Sequence, residues 1–311
     1  MYDLVVVGGV CVDVLVKGVD IRNAFQKETT PADGITFAVG GDAINEAVAA
    51  AKLGIHVRLI TGMGDDFVAG MIKEHMRRHG LKTDGIRICE NSETSVNCVV
   101  VDKGGERRFL APPFAPSASF RPDSELLCPA RVLSLASLFV PPLDVPEYVL
   151  PLVKKARQLD MIICADMNMR PGMNLDMYSE VLPFVDYIFP NAEESAYFTG
   201  ERDPIHAASV FHNYGVKTVV AKLGAKGCCL CTEEGNTPVA GYKVECLDTT
   251  GAGDNFAAGF ATGLAMGYTP QECAQLACTM GALAVTQVGA SAAVRDWMQV
   301  SHMMQYGERY Q

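Results

Sequence analysis

The chain carries short runs of consecutive apolar residues, and segments with the spacing of amphipathic helices lie between them. A strand with both faces buried shows no alternation of apolar and polar residues, which is typical of central strands in a parallel sheet. We assign such strands to residues 2–9, 57–64, 161–168, 186–191 and 216–224. The sequence therefore predicts an α/β fold with a doubly wound, mostly parallel central sheet and helices on both faces.

Residues 11–20, 34–40 and 94–112 depart from this pattern, because apolar and polar residues alternate in them. Alternation is typical of strands with one exposed face, and Asp-Lys-Gly-Gly at 102–105 indicates a hairpin turn. We predict that these segments form antiparallel strands of a small β lid, inserted into a single domain that spans residues 1–311. Exposed lid edges favour pairing with a second lid, so we also predict a homodimer.

The composition excludes several classes of protein. The net charge at pH 7 is -10 and no long basic run occurs, which argues against binding to nucleic acid or to an acidic membrane. The longest apolar runs, such as residues 132–140, are too short to cross a bilayer. The chain begins directly with a strand pattern, and its 11 scattered cysteines suit a reducing compartment, so we expect a cytoplasmic location.

The segment 248–260 reads DTTGAGDNFAAGF and places flexible residues at the start of an apolar helix, after the strand-like residues 242–248. Gly251, Ala252 and Gly253 would then lie at a helix N-terminus, where backbone N–H groups lack partners and attract an anion such as a phosphate. Asp254 follows and should stay ionised at neutral pH. The alternative is an ordinary turn with a helix cap.

Gly259, Gly263 and Gly267 continue this segment at intervals of four residues. Each glycine inside a helix costs about 1 kcal/mol relative to alanine, so three on one stripe indicate close packing against another element. Other phosphate-binding motifs do not fit: G-x-x-x-x-G-K-[ST] is absent, and residues 5–13 lack the G-x-G-x-x-G spacing. The H-R-D and D-F-G signatures of protein kinases are also absent.

Two segments, GGDAINEAVAAAKLG at 40–54 and DTTGAGDNFAAGF at 248–260, resemble the two signatures of the PfkB, or ribokinase-like, carbohydrate kinases. The resemblance covers nearly the whole chain, since Gly-Asp-Asp at 64–66, Asn-x-x-Glu at 191–194 and Lys-x-Gly at 222–224 follow in the family's order. It implies a ribokinase-like fold and the ATP-dependent phosphorylation of a primary hydroxyl group of a small sugar or sugar acid.

The resemblance also implies roles for the matching residues. Asp254 would be the general base, and Gly251, Ala252 and Gly253 would form the anion hole for the transferred phosphoryl group. Such a reaction needs positioning and charge stabilisation more than covalent chemistry. The residues that would bind the acceptor are Asp13, Gly41, Asn45 and, in the D-x-N-x-R segment, Arg170 near the transferred phosphate.

For the nucleotide and the ions, the resemblance implies a second set of residues. Those that would line the ATP site are Asn168, Asn191, Lys222, Gly224, Gly227 and Cys278. Glu194 would hold Mg²⁺ through water, which suits an ion that prefers to keep several of its waters. The loop for a monovalent cation, which could be K⁺, would comprise Asp248, Thr250, Ala284, Gln287 and Gly289.

Several of these residues have an ordinary structural interpretation. Asn191 and Glu194 have the spacing of a helix capping box, and Asp13 could be a turn residue. Arg107 could contact an anionic group of the substrate, or it could protect an exposed strand edge. Asp42 and Ala43 follow the Gly-Gly of the first signature where many family members have Gly-Lys or Gly-Asn, which leaves the sugar open.

Three other functions remain open at this stage. A nucleoside kinase of the same family would need a larger apolar or aromatic pocket under the lid, for which Phe37, Phe109 and Phe114 are candidates. A non-catalytic sugar or nucleotide sensor would keep the fold, but it would have no need of Asp254. A Rossmann dehydrogenase has the least support, because its glycine spacing is absent.

Overall fold

The computed structural model describes residues 2–21, 24, 26, 28–102, 107–112, 120–290 and 292–309. The tip of the predicted hairpin at 103–106, Phe114 and the side chain of Arg107 lie outside the described part. The principal element is a nine-stranded sheet. Its strands are β1 (Leu4–Val7), β4 (Val57–Met63), β5 (Ile86–Ile88), β8 (Val132–Leu138), β9 (Ile162–Met167), β10 (Tyr187–Ile188), β11 (Thr218–Lys222), β12 (Gly227–Thr232) and β13 (Gly235–Ala240).

The strands of this sheet lie in the order β13-β12-β11-β10-β9-β8-β1-β4-β5. Every neighbouring pair is parallel except β11 with β12 and β12 with β13, which are antiparallel at one edge. All residues of β1 and β8 are buried, as expected for strands covered on both faces. The predicted fold class is therefore confirmed, although the sequence interpretation had assigned no strand to β8.

Helices cover both faces of the sheet. Leu4 and Val6 of β1 pack in one core cluster with α1 (Asp42–Lys52), α2 (Phe67–Arg78), α6 (Ala252–Met266) and α7 (Pro270–Ala284). Val5 and Val7 point to the other face, whose cluster includes α3 (Pro146–Gln158) and α5 (Pro204–Asn213). The remaining helices are α4 (Ala192–Thr199) and α8 (Trp297–Tyr306).

Two of the three glycines on the predicted stripe bring α6 and α7 together. A Cβ at Gly259 would lie 2.8 Å from Ala277 Cα, and one at Gly263 would lie 2.9 Å from Cys273 Sγ. Gly267 instead forms the C-cap of α6.

Helix α6 begins at Ala252, two residues before the predicted start. Residues 242–248 form no strand; Tyr242 makes a single bridge to Arg309 there.

A separate four-stranded sheet forms the lid, in the order β3-β2-β6-β7. Its strands are β2 (Cys11–Val19), β3 (Gly34–Gly40), β6 (Val96–Asp102) and β7 (Arg107–Leu110). The prediction of purely antiparallel lid strands is wrong, because β2 pairs with β6 in parallel. These two strands are separated in sequence by α1, β4 and α2, so no hairpin forces them to run in opposite directions. That all 311 residues form one domain stays a prediction.

One row of lid side chains is apolar. Phe37, Val14, Cys98 and Leu110 lie side by side across the four strands. Phe37 is 64% exposed and Leu110 is 61% exposed. Asp13 and Asn97 pair in the next row and therefore lie on the opposite face of the lid. Within the described ranges, no helix has both the length and the apolar character that a bilayer crossing requires.

Candidate active site

The N-terminus of α6 lies where the sequence places the anion cradle. Gly251 is its N-cap with a left-handed φ of 75°, and no described side chain caps the helix. A Cβ at Gly251 would lie 2.6 Å from Ala290 Cα, so only glycine fits this close approach. The Ala252 N–H donates to the Thr249 carbonyl oxygen at 3.2 Å, so the amides of Gly251 and Gly253 are the ones left, among the described residues, to bind a ligand.

The Asn255 side chain stabilises this turn through hydrogen bonds. Its Nδ2 donates to the carbonyl oxygens of Gly251 and Ala290, each at 2.7 Å. The side chain is fully buried, and its Oδ1 has no partner among the described residues. Asn255 thus joins the cradle to the loop that follows α7.

Asp254 is bound to the start of α1. Asn45 Nδ2 donates to Asp254 Oδ2 at 2.7 Å, so the two signature segments meet. Burial and the charge of Asp166 raise the pKa of Asp254 to about 6, against the opposing effects of Asn45 and Lys222. The carboxylate is still mostly ionised at pH 7, but it is a stronger base than an exposed aspartate, as general-base catalysis near neutral pH requires.

Lys222 lies beside the cradle and is ion-paired. Its Nζ is 2.9 Å from Asp166 Oδ1 and 3.6 Å from Glu194 Oε2. Burial alone would lower the pKa of Lys222, but these two carboxylates hold it above its usual value. A Cβ at Gly253 would lie 3.6 Å from Lys222 Nζ and 3.7 Å from Asp166 Oδ2. A fixed cation therefore lies next to the amides of α6.

Asn191 and Glu194 form a complete capping box at the start of α4. Asn191 Oδ1 accepts from the backbone N–H groups of Glu193 and Glu194 at 2.8 and 2.9 Å. In return, the Asn191 N–H donates to Glu194 Oε2 at 2.8 Å. Burial raises the pKa of Glu194 to about 7, although Lys222 opposes the shift. The structural interpretation of this motif therefore holds, and Glu194 also lies 3.6 Å from Lys222 Nζ.

A cleft of about 430 Å³ opens from the cradle. That volume lies within the range of small-molecule and cofactor sites. Its lining includes Ala252 and Gly253 of the cradle together with five of the six residues predicted to contact nucleotide: Asn191, Lys222, Gly224, Gly227 and Cys278. Tyr242 forms another wall, and Arg309 holds it by donating to its hydroxyl oxygen at 2.7 Å.

Asn168, the sixth predicted nucleotide residue, lies elsewhere. It is absent from the lining of this cleft and hydrogen-bonds to Asp42 at the start of α1. Ser137 Oγ donates to the same carboxyl group. Arg170 is ion-paired with Asp144, so its charge is partly neutralised. Asn168 is therefore placed beside Asp42 at the start of α1, and Arg170 beside Asp144, and neither lines this cleft.

The lid places Asp13 beside Asn97 and Cys11. Asn97 Nδ2 donates to Asp13 Oδ1 at 3.0 Å and lies 3.4 Å from Cys11 Sγ. Gly40 leaves room for Asp13, because a Cβ added to Gly40 would lie 2.7 Å from Asp13 Oδ2. Gly41 has a φ of 102°, and its missing Cβ would lie 2.7 Å from the Gly9 carbonyl oxygen. Gly40 thus permits Asp13 of β2 to lie against β3, and Gly41 permits the start of α1 to approach the segment between β1 and β2. Arg107 belongs to β7, but its side chain lies outside the described part.

Three of the predicted cation-loop residues lie together. Asp248 accepts from the Thr250 N–H at 2.9 Å and from the Gly289 N–H at 3.0 Å. Ala284 ends α7, and Gln287 is exposed in the loop that follows. The loop before α6 is thus tied to the loop after α7 by Asp248 as well as by Asn255.

Sequence reasoning missed Asp166, Asn97 and Asn255. Asp166 ends a buried strand, and a carboxylate at the carboxyl end of a parallel strand is a usable signal for a site. Asn97 alternates with apolar residues in β6, as any exposed strand residue does. Asn255 lies inside the second signature, but nothing in the sequence indicates that it turns inward.

Comparisons with known proteins identify the family. The model of the pfkB family carbohydrate kinases matches residues 1–297, and the chain belongs to that family. A ribokinase from Haemophilus influenzae is 29% identical over 274 residues, which cover 86% of this chain and 87% of that protein. The chain is therefore a carbohydrate kinase, a phosphotransferase with an alcohol group as acceptor.

Solved structures agree on the fold. A ribokinase from Thermotoga maritima has a TM-score of 0.80 and 28% identity, and the match covers 98% of this chain and 100% of that one. An Arabidopsis thaliana ribokinase complexed with ribose and ATP has a TM-score of 0.85 at 24% identity, covering 98% and 99%. At that identity, the second match supports the fold alone.

Proposed function

We propose that this protein transfers the terminal phosphoryl group of ATP to a primary hydroxyl group of a small sugar or sugar acid. Asp254 accepts the proton of the attacking hydroxyl group, and the amides of Gly251, Ala252 and Gly253 stabilise charge on the phosphoryl group. The observation that carries the proposal is that Asn45, the anion cradle and the cleft meet at Asp254. Its carboxylate contacts Asn45 at 2.7 Å, and the adjacent cradle opens into the cleft.

ATP would lie in the cleft of about 430 Å³, with its phosphates toward Gly253 and Lys222. Among the described residues, no three His, Cys, Asp or Glu side chains are grouped to hold a metal ion by themselves. Asn191 and Glu194 nevertheless fit Mg²⁺, because this ion keeps most of its waters and takes phosphate oxygens as ligands. It would neutralise charge on the phosphates.

The loops at Asp248 and Gly289 suit a monovalent cation such as K⁺. The backbone N–H groups of Thr250 and Gly289, one in each loop, donate to the buried Asp248 carboxylate. Asn255 connects the second loop to the anion cradle through the Ala290 carbonyl oxygen. Cation binding would then stabilise the two loops and, through Asn255, the anion cradle. Activity that rises with K⁺ at constant ionic strength supports this assignment.

The apolar row of the lid supports the proposed homodimer. Exposed Phe37 and Leu110 on a small sheet form a surface that a second lid would bury. Sedimentation should show a dimer for the wild type and a monomer for Phe37→Glu. A wild-type monomer at micromolar concentration contradicts the proposal.

One observation favours a nucleoside as the alternative acceptor. A second cleft, of about 500 Å³, lies between the lid, α2, residues 288–290 and Ala292, and is lined by Leu15, Met71 and Val288 among others. A base attached to the sugar could occupy it. Phe109 lies near this side of the lid, because it pairs with Val99 and Val99 pairs with Leu15.

The test is a coupled assay of ADP formation with ATP, Mg²⁺ and a panel of acceptors. The panel comprises ribose, fructose, 2-keto-3-deoxygluconate, tagatose 6-phosphate and nucleosides. At least one acceptor should be phosphorylated, and Asp254→Asn should reduce kcat by about 1,000-fold while ATP and the acceptor still bind. A variant that keeps wild-type turnover contradicts the role of Asp254. Binding without turnover by the wild type indicates a sensor.

A further inference from the structure

The C-terminal end of the described chain packs against one wall of the proposed nucleotide cleft. After α8, the Arg309 backbone forms an antiparallel bridge with Tyr242, and the Lys243 N–H donates to the Glu308 carbonyl oxygen at 2.8 Å. The side chains of Lys243 and Glu308 form an ion pair at 2.6 Å. Gly307 lies directly against the tyrosine ring, because an added Cβ would lie 2.7 Å from Tyr242 Cδ1. These three C-terminal residues therefore support the segment that begins at Tyr242.

The Arg309 side chain fixes both the ring and the hydroxyl group of Tyr242. Its guanidinium carbon lies 4.7 Å from the centre of the ring, and its Nη2 donates to the Tyr242 hydroxyl oxygen at 2.7 Å. That oxygen also lies 3.1 Å from Thr279 Oγ1. Thr279 has one hydroxyl proton and directs it at the Gln275 carbonyl oxygen, 2.8 Å away, so Tyr242 donates its own proton to Thr279. The ring therefore cannot leave its place without losing two hydrogen bonds.

Tyr242 belongs to the apolar part of the cleft. Asn191, Lys222 and the start of α6 form the end proposed for the phosphates, and the rest of the lining is mainly apolar. This apolar part includes Tyr242, Val244, Phe256, Cys278 and Val285. An apolar and aromatic wall suits the flat face of a nucleotide base. A shift of the Tyr242 ring would therefore change the shape of the cleft where the base is expected to lie.

We propose that Arg309 is a positioning residue for the nucleotide, because it holds Tyr242 as a wall of the base pocket, and that residues 307–309 are therefore part of the ATP site. The inference rests on the proposed function, since it takes the cleft to be the nucleotide site. Arg309 follows the last residue that the family model matches, residue 297, so family membership by itself gives it no such role. Arg309 is not among the residues that line the cleft, so it acts on ATP through Tyr242.

Calorimetry with MgATP measures the dissociation constant of the nucleotide without any acceptor. Arg309→Ala should raise this Kd about tenfold, because the wall loses a hydrogen bond from a charged donor. Steady-state kinetics should show the same rise in KM for ATP, with kcat and the KM for the acceptor within about twofold of the wild type. Arg309→Lys keeps the charge and a donor, so it should recover part of the affinity. Arg295→Ala is the matched control, because that exposed arginine precedes α8 and is absent from the lining of the cleft.

A double-mutant cycle shows whether Arg309 acts through Tyr242. Tyr242→Phe keeps the ring and removes the hydroxyl oxygen that accepts from Arg309, so it should also raise the Kd for ATP about tenfold. The double variant should then resemble either single variant, because both changes remove the same hydrogen bond. A rise of about 100-fold in the double variant would show independent effects and overturn the inference.

Hydrogen exchange of the wild type tests the link without any substitution, and decides the matter if the variants do not fold. Saturating MgATP should slow exchange of the Lys243 N–H about fivefold, because this group donates to Glu308. Exchange that MgATP leaves unchanged overturns the inference. So does an Arg309→Ala variant that binds ATP as the wild type does, or one that loses affinity for ATP and for the acceptor equally. A wild type that binds no ATP fails the proposed function itself, whereas these results fail only the inference.

Discussion

Two helices begin at the same cleft, and their N-termini are completed in opposite ways. At α4, the Asn191 and Glu194 side chains satisfy the free backbone groups through a capping box. At α6, the N-cap Gly251 supplies no side-chain cap, and of the described backbone N–H groups in the first turn the Asp254 carboxylate accepts only from its own. A missing cap costs about 1 kcal/mol, so an open end needs a ligand or another reason to persist.

The contrast extends to the other helices. Side chains of Asp66, Asp203, Thr269 and Asp296 cap α2, α5, α7 and α8. Glycine N-caps with positive φ occur at α1 and α6, which meet through Asn45 and Asp254. The two glycine-capped helix ends therefore meet at the proposed reaction site, whereas α3, which also lacks a side-chain cap, begins with Pro146, whose missing N–H needs no partner.

The sharpest test of this contrast compares two glycines of α6. A methyl group at Gly253 fits, with its nearest neighbour at 3.6 Å, but it occupies the space between the cradle and Lys222. Gly253→Ala should therefore keep or raise Tm, because alanine favours helix by about 1 kcal/mol, and should lower kcat about 100-fold. The measurements are thermal melting and steady-state kinetics.

Gly259→Ala is the matched control. Its Cβ would lie 2.8 Å from Ala277 Cα, so this variant should lose stability through separation of α6 from α7. The molecules that remain folded should turn over normally. Equal loss of kcat in both variants would show that the cradle has no special role.

Asn255→Ala tests whether the open end of α6 must be held in place. Loss of the two hydrogen bonds to Gly251 and Ala290 should destabilise the fold by about 2 kcal/mol. The kcat of the folded fraction should fall about twentyfold while KM for ATP changes little, because positioning matters in the transition state. Unchanged kcat after correction for the folded fraction contradicts a positioning role.

The pH profile tests the base that the open end presents. Because burial raises the pKa of Asp254 to about 6, its active ionised form is present above this pH and is lost below it. We expect kcat/KM to be about tenfold lower at pH 5 than at pH 7. The charged or titratable side chains around Asp254 are those of Asp166, Lys222 and Asp42. Glu194, whose pKa burial raises to about 7, also titrates within this pH range. A profile that is flat down to pH 5 contradicts the assignment.

Asn191 tests the capped end and should give the smallest effects. Asn191→Asp keeps a good N-cap, so Tm should change little, whereas the added charge beside the phosphates should raise KM for ATP about fivefold. Asn191→Ala should lose about 1 kcal/mol of stability. If both variants lose only stability, the motif serves α4 and not the nucleotide.

Much of this molecule follows from local patterns in the sequence. Central strands such as β1 show as apolar runs because both faces are buried, and the α6 cradle shows because its glycines and Asp254 match the second family signature. The strand predicted at 242–248 failed, because strand pairing depends on a distant partner and only Tyr242 has one, at Arg309. The prediction that the lid strands are all antiparallel failed at β2 and β6 for the same reason.

The sequence by itself determined the fold class, the position of Asp254 after the cradle and the capping box at Asn191, because each depends on neighbours within a few residues. Only the tertiary structure decided which groups meet: Asn45 with Asp254, Asp166 with Lys222, and Asn168 with Asp42 rather than with the cleft that Lys222 lines. These contacts join segments far apart in the chain. Burial, which sets the pKa of Asp254, also exists only after the sheet and helices have packed.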